Sequence, residues 1–286
     1  MTTNLVLQGP QADHATLERL ARLARLAGPA QGLTALGEHA LRVDGVTLDP
    51  VRKTELDAAA FAARVDATFI AAGRTLADFR LVAMDMDSTL ITIECIDEIA
   101  DMQGLKPQVA AITEAAMRGE LDFSESLTRR VALLEGLDAS ALQRVYDERL
   151  RISMGGEAML GAVQAAGLKT LLVSGGFTFF TDRLKPRLGL DHTHANTLEV
   201  VDGKLTGRVL GGIVDAEEKK RTVERVCAEL GIAPAQAIVM GDGANDLRMM
   251  GIAGLSVAFR AKPVVREQAD VALNFSGLDG LLTILS

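Results

Sequence analysis

The chain has 286 residues, 48% of them hydrophobic and 24% charged, with a formal net charge of −8. That length suits one large domain, or a medium domain with a small one beside it, and a sizeable core. The acidic balance argues against general nucleic-acid binding, which needs a basic face. It does not exclude a phosphorylated small molecule, because a metal ion and a few local cations set the field inside a cleft. Cys95 and Cys227 stand far apart with no neighbouring Cys or His, so neither a disulfide framework nor a zinc site is expected, and a reducing cytoplasm is the simplest compartment. Met1-Thr2-Thr3-Asn4 has no leader character, and no run approaches the roughly 20 unbroken apolar residues of a membrane span. A cytoplasmic, soluble protein without a membrane partner is the expectation.

The first part reads as a small α/β unit. Residues 4–7 form a short apolar strand ended by Gly9-Pro10, and Asp13 caps a helix predicted over 14–27 on the stripe Leu17, Leu20, Ala21, Ala24, Leu26. Weaker strands follow at 40–43 and 45–48, then a long Ala-rich helix over 53–72. His14 and His39 are isolated, so no chemistry is assigned to this segment.

From Arg80 the pattern changes. Residues 80–84 are a compact apolar run ending in Asp85-Met86-Asp87-Ser88-Thr89, as in a strand buried on both faces of a parallel sheet. Residues 168–173 end likewise in Ser174-Gly175-Gly176, and 237–240 in Gly241-Asp242-Gly243, with later strands at 255–259 and 271–273. Helices predicted at 157–166 and 217–230 alternate with them, which implies a doubly wound, Rossmann-like parallel sheet. Ligands of such sheets sit beyond the carboxyl ends of the strands, where all three polar clusters fall. The insertion 94–167 is too long for a simple crossover; helices at 96–103, 107–119, 123–134 and 139–150 make it a helical cap. A hairpin over 198–209, turning at Asp202-Gly203, is a smaller interruption.

An isolated Asp-x-Asp is as readily a loop that caps the next helix. At the buried end of an apolar strand, unpaired carboxylates are costly unless a cation balances them, and a hard divalent ion with oxygen ligands fits. Asp242 completes such a site with Asp85, and the glycines beside it allow close approach of backbone to ligand. Ser174-Gly175-Gly176 is an ordinary turn or, at a helix N-terminus, a phosphate cradle. Lys219 lies in a charged run, Asp215 to Arg221, whose default reading is a solvated helix face and whose alternative is that one of its cations reaches a phosphate. His192 and His194 are read as structural.

Together, Asp85-Met86-Asp87-Ser88-Thr89, Ser174-Gly175, Lys219 and Gly241-Asp242-Gly243-Ala244-Asn245-Asp246 resemble the four ordered motifs of the haloacid dehalogenase superfamily. The run 85–100 and the stretch 117–131 resemble its phosphoserine phosphatase family. The resemblance covers residues 78–286 and implies the fold of that superfamily. By it, Asp85 is the nucleophile, Asp87 the general acid and base, and Mg²⁺ is held by Asp85, Asp87 and Asp242 with Asp246 behind them. Ser174, Gly175, Lys219 and Asn245 bind phosphate, Glu94 and Arg130 take the ammonium and carboxylate of phosphoserine, and Met117 and Phe123 form an apolar lid. Other small phosphorylated metabolites, phosphoryl transfer and a regulatory protein with vestigial activity remain alternatives. The division expected is 1–76, similar to small amino-acid-binding ACT folds, and 77–286. The first unit reads as an amino-acid sensor or as a docking surface for a homodimer.

Overall fold

The computed structural model describes residues 2–26, 32–47 and 49–286, with the side chains of Leu26 and Met117 outside that description. The chain runs β1 (Thr3–Gln8), α1 (His14–Leu26), β2 (Gly32–Gly37), β3 (Ala40–Asp44), α2 (Pro50–Ala62), β4 (Asp66–Ala71) and β5 (Leu81–Met84). Then come α3 (Cys95–Asp101), α4 (Lys106–Met117), α5 (Phe123–Ala132), α6 (Ser140–Arg144), α7 (Gly156–Ala165), β6 (Lys169–Phe177) and α8 (Thr178–Leu188). The rest is β7 (His192–Val201), β8 (Lys204–Leu210), α9 (Ala216–Glu229), β9 (Ala237–Gly241), α10 (Leu247–Met250), β10 (Leu255–Phe259), α11 (Pro263–Gln268), β11 (Val271–Leu273) and α12 (Gly280–Ile284).

Two sheets result. The first is four-stranded, in the order β2-β3-β1-β4, with every pairing antiparallel. Its βαββαβ order is that of a split βαβ, ferredoxin-like unit. The second is seven-stranded, in the order β11-β10-β9-β5-β6-β7-β8, parallel except for β8. Alternate residues of its central strands feed opposite cores. Leu81, Ala83, Ala237 and Val239 join Val223, Val226 and Cys227 of α9 on one face. Val82, Met84, Ile238 and Met240 join Leu160 of α7 and Phe180 of α8 on the other. Burial on both faces is why these strands read as unbroken apolar runs.

The cap leaves and rejoins the sheet through a narrow neck. Ile91 bridges Ile152, the Thr92 N–H donates to the Arg151 carbonyl at 3.0 Å, and the Ser153 N–H donates to that of Leu90 at 2.9 Å. α7 follows the neck and packs on β6, so the chain is back against the sheet well before 167. The β7–β8 hairpin turns at Asp202-Gly203 and meets the cap, with the Gly136 N–H on the Leu205 carbonyl and the Ala139 N–H on that of Gly203, both 2.8 Å.

The N-terminal reading needs correction. The helix expected over 53–72 is α2 followed by β4. Asp49 accepts the Val51 and Arg52 N–H groups and Pro50 opens the first turn, while Arg64, with φ 56°, ends the helix. Asp66-Ala-Thr-Phe-Ile-Ala then alternates buried and half-buried, a strand pattern. Residues 45–47 are not strand: Gly45 turns with φ 68° and donates to Asn4; Leu48 and the expected helix end at Ala27 lie outside the described residues. β2, a largely exposed edge strand, was not expected.

Candidate active site

Asp85 directly continues β5, its N–H on the Met240 carbonyl at 3.0 Å, and only 5% of it is exposed. One carboxylate oxygen, Oδ1, accepts the Met86 N–H at 2.7 Å and lies 2.9 Å from Lys219 Nζ. The other takes no hydrogen bond from the described residues. Burial, then the charges of Asp246 and Asp242, push the Asp85 carboxyl well above its ordinary range against the pull of Lys219. The chain then folds back on itself: Ser88 adopts φ 57° and the Ile91 N–H reaches the Met86 carbonyl. This turn half-buries Asp87, whose Oδ2 accepts the Cys95 N–H at 3.3 Å and whose Oδ1 is buried with no partner. Burial first, and the nearby Glu94 second, raise Asp87 to about 8.

Lys219 is fully buried. The N-cap Asp215 starts α9 by accepting the Glu217 and Glu218 N–H groups, and the first turn aims Lys219 inward. Its Nζ sits 2.8 Å from Asp246 as well as 2.9 Å from Asp85. Burial works against its charge, but those two carboxylates outweigh burial and hold its pKa above the usual lysine value. Asp246 is committed on both sides, since its Oδ2 accepts the N–H groups of Asp242 and Gly243 at 3.1 and 3.0 Å. A Cβ on Gly241 would come within 2.5 Å of Asp246 Oδ2, which is why glycine stands there. Asp242 follows β9 and accepts the Thr89 hydroxyl at 3.1 Å; burial and then Asp246 raise it to about 7. Asn245 curls against Gly243.

Ser174 and Gly175 belong to β6, which continues to Phe177 rather than stopping at Val173; the ladder to β7 is irregular between those two. They therefore lie in the C-terminal part of a strand, with α8 starting only at Thr178. The Ser174 hydroxyl accepts the Gly176 N–H at 2.8 Å. Phe123 of α5 closes over Gly175: a Cβ there would lie 2.7 Å from the Phe123 ring. Glu94 is the N-cap of α3 and accepts the Ser88 hydroxyl at 2.6 Å. Burial, then Asp97, raise its pKa. Arg130, half-buried on α5, forms no ion pair among the described residues, and burial lowers its pKa despite Asp97, Glu94 and Asp87 nearby. Met117 ends α4, but its side chain lies outside the described residues.

Asp85, Asp242 and Asp246 each bring a carboxylate oxygen within 4.8 Å of the others. Raised pKa values, one orphaned Asp87 oxygen and an all-oxygen donor set fit a hard divalent cation. Sequence reasoning assigned no role to Asn196. This buried side chain donates to the Gly175 carbonyl at 2.8 Å and accepts the Val214 N–H at 2.8 Å. It thereby ties the Ser174-Gly175 segment to the one that launches α9 and Lys219. Its only signal was an amide among inward-facing strand residues. Thr89 was within the quoted motif, but its bond to Asp242 spans 153 positions and left no local trace.

Comparison with known proteins agrees with this geometry. A family model of haloacid dehalogenase-like hydrolases matches residues 82–251. A phosphoserine phosphatase of Polaromonas sp. is 60% identical over 215 residues, covering 73% of this chain and 91% of that protein. A solved HAD family hydrolase from Salmonella enterica serovar Typhi superimposes with a TM-score of 0.89 at 34% identity, over 100% of this chain and 99% of the other. A probable phosphoserine phosphatase from Vibrio cholerae, in unliganded form, gives 0.83 at 35% identity, over 99% of this chain and 86% of that one. The chain belongs to the haloacid dehalogenase-like hydrolases, in their phosphoserine phosphatase family.

Proposed function

We propose that this chain hydrolyses O-phospho-L-serine to L-serine and phosphate through an aspartyl phosphate on Asp85. The observation that carries the reading is the division of labour within the Asp85 carboxylate. Oδ1 is pinned by the Met86 N–H and Lys219, and Oδ2 is left to react. Oδ2 attacks phosphorus, the bond from phosphorus to the serine oxygen breaks, and that oxygen takes a proton from Asp87. Raised to about 8, Asp87 carries that proton at neutral pH. A water then attacks the phosphoryl group and gives its proton to Asp87, and the Asp85–phosphorus bond breaks. One difficult displacement becomes two easier ones.

Mg²⁺ suits the carboxylates of Asp85 and Asp242 and the backbone carbonyl of Asp87, and when bound it neutralises phosphate oxygens. Asp246 has both oxygens engaged, so its part is to hold Lys219 and the Asp242 backbone in place. Lys219, Ser174, the Gly175 N–H and Asn245 gather the remaining phosphoryl charge. Phe123 and Met117 keep water from the phosphoenzyme. Glu94 takes the substrate ammonium, and Arg130 takes its carboxylate as a two-pronged donor.

The chain divides into a small unit over 1–76 and the phosphatase over 77–286. A cytoplasmic setting agrees with the absence, among the described residues, of any helix long and apolar enough to cross a membrane. The ferredoxin-like topology of the small unit supports an ACT-like role as amino-acid sensor or homodimer surface. A panel of small phosphate monoesters, assayed for released phosphate with Mg²⁺ present, tests the substrate. Phosphoserine is expected among the best; turnover confined to other esters would contradict the reading.

A further inference from the structure

The seam between the two sheets carries an open pocket of about 390 Å³. Phe61 and Arg64 line it from the N-terminal side, and Arg260, Arg266, Asn274 and Phe275 from the catalytic side. The two rings meet at 5.1 Å between centroids, with the Arg64 guanidinium 5.3 Å from Phe275 and that of Arg266 5.5 Å from Phe61. None of the three arginines forms an ion pair with a described residue, although the chain is acidic overall; the Arg266 guanidinium donates only to the neutral Asn274 side chain, at 3.4 Å. In the adjoining groove Asp57 already holds Lys53 at 2.7 Å, and Asp270 accepts the Ser256 N–H and hydroxyl at 2.8 and 2.7 Å. Arg64 and Arg260 also keep φ at 56° and 46°, a conformation costly for a residue with a Cβ. Three guanidiniums without an ion-pair partner among the described residues thus line one open pocket, and Asp57 and Asp270 beside it are engaged elsewhere.

We infer that this seam is a second anion site, separate from the catalytic cradle, for a compact dianion such as phosphate, a phosphomonoester or a dicarboxylate. Guanidinium forks bind two oxygens of such an anion at once. The anion clamps the N-terminal unit to the catalytic sheet, because Arg64 comes from the first and Arg260 and Arg266 from the second. The position has reach. Asp66 of β4 accepts the N–H groups of Asn274 and Ser276 at 2.8 and 2.9 Å. Two residues on, the Leu278 N–H donates to Met154, beside the cap neck, at 2.8 Å. On the other side, Lys262 donates its N–H to the Asp242 carbonyl at 3.1 Å.

Calorimetric titration of inorganic phosphate into the full chain, with Mg²⁺ present, tests the site independently of the substrate assigned above. Two phosphates are expected on the wild type, one on the Arg64→Gln/Arg266→Gln variant, and a retained pocket site in Ser174→Ala. The double variant is also expected to lose most of the phosphate-induced rise in melting temperature. A wild type that binds one phosphate, lost in Ser174→Ala, overturns the inference, as does a double variant that still binds two. Arg260→Gln, at an exposed position, repeats the test should the double variant melt early without ligand; it is expected to weaken the second phosphate at least tenfold, and unchanged binding overturns the site. Succinate in place of phosphate separates ligand sources. Binding of phosphate alone points to phosphoryl anions and binding of both to dianions at large, each supporting the site, while binding of neither to the pocket overturns it.

Discussion

The two sides of the catalytic cleft are built on opposite plans. On the sheet side the positions are fixed in advance: Lys219 holds Asp85 and Asp246, and Asp246 holds the backbone around Asp242, which leaves Asp242 and one Asp87 oxygen for a cation. On the cap side Arg130 has no ion-pair partner among the described residues, and Glu94 is held by one serine hydroxyl. A closed, buried network fixes geometry before the substrate arrives, as phosphoryl transfer requires. An unmatched pair of opposite charges waits for a molecule that carries both. Chemistry and selectivity should therefore fail separately.

Breaking the closed side has the largest effect. Lys219→Met leaves Asp85 and Asp246 buried and unbalanced, so about 3–5 kcal/mol of stability is expected to go, with kcat down about 10²–10³-fold. Thermal melts and steady-state kinetics check this, and a stable variant with near-normal kcat would show that the network is not closed by this lysine. On the open side, Arg130→Ala is expected to raise KM for phosphoserine by about 2 kcal/mol or more, roughly 30-fold. Hydrolysis of p-nitrophenyl phosphate, which lacks the carboxylate, is expected to stay near normal; equal losses on both substrates would mean that Arg130 supports the fold.

The smallest effect is on pH. Asp87 and Asp242 are raised to about 8 and about 7, whereas an unfolded chain releases these protons near pH 4. Between those limits the folded, metal-free protein binds more protons than the unfolded chain, so its stability falls as pH rises through the window. A divalent cation offsets the charge that then appears. Stabilisation by Mg²⁺ is accordingly expected to be greater at pH 8 than at pH 5 in thermal melts, and an equal shift at both would contradict the burial cause.

What could be read without coordinates follows the same division. β5, β9, β10 and β11 were legible to within a residue because burial leaves their side chains apolar, Ser256 of β10 excepted, and polar clusters stood where β5 and β9 stopped. The helical cap was legible from its amphipathic spacing. β4 was not: Ala-rich helix and Ala-containing strand share a composition, and the break at Arg64 is a positive φ on a residue that announces no turn. Lys219 stood among three consecutive basic residues; the motif resemblance named it, but composition alone read the run as a solvated face, and its full burial was not legible. Asn196 was invisible because its partners, Gly175 and Val214, are distant in sequence.

The central claim is that Asp85 carries the phosphoryl group. Rapid acid quench during phosphoserine turnover, followed by mass spectrometry of the peptide spanning Asp85, measures it most directly. The account predicts one phosphoryl mass on that aspartate, absent from an Asp85→Asn variant that no longer turns over. Phosphate release with no label on the peptide, or a label on another residue that persists in the variant, would contradict it.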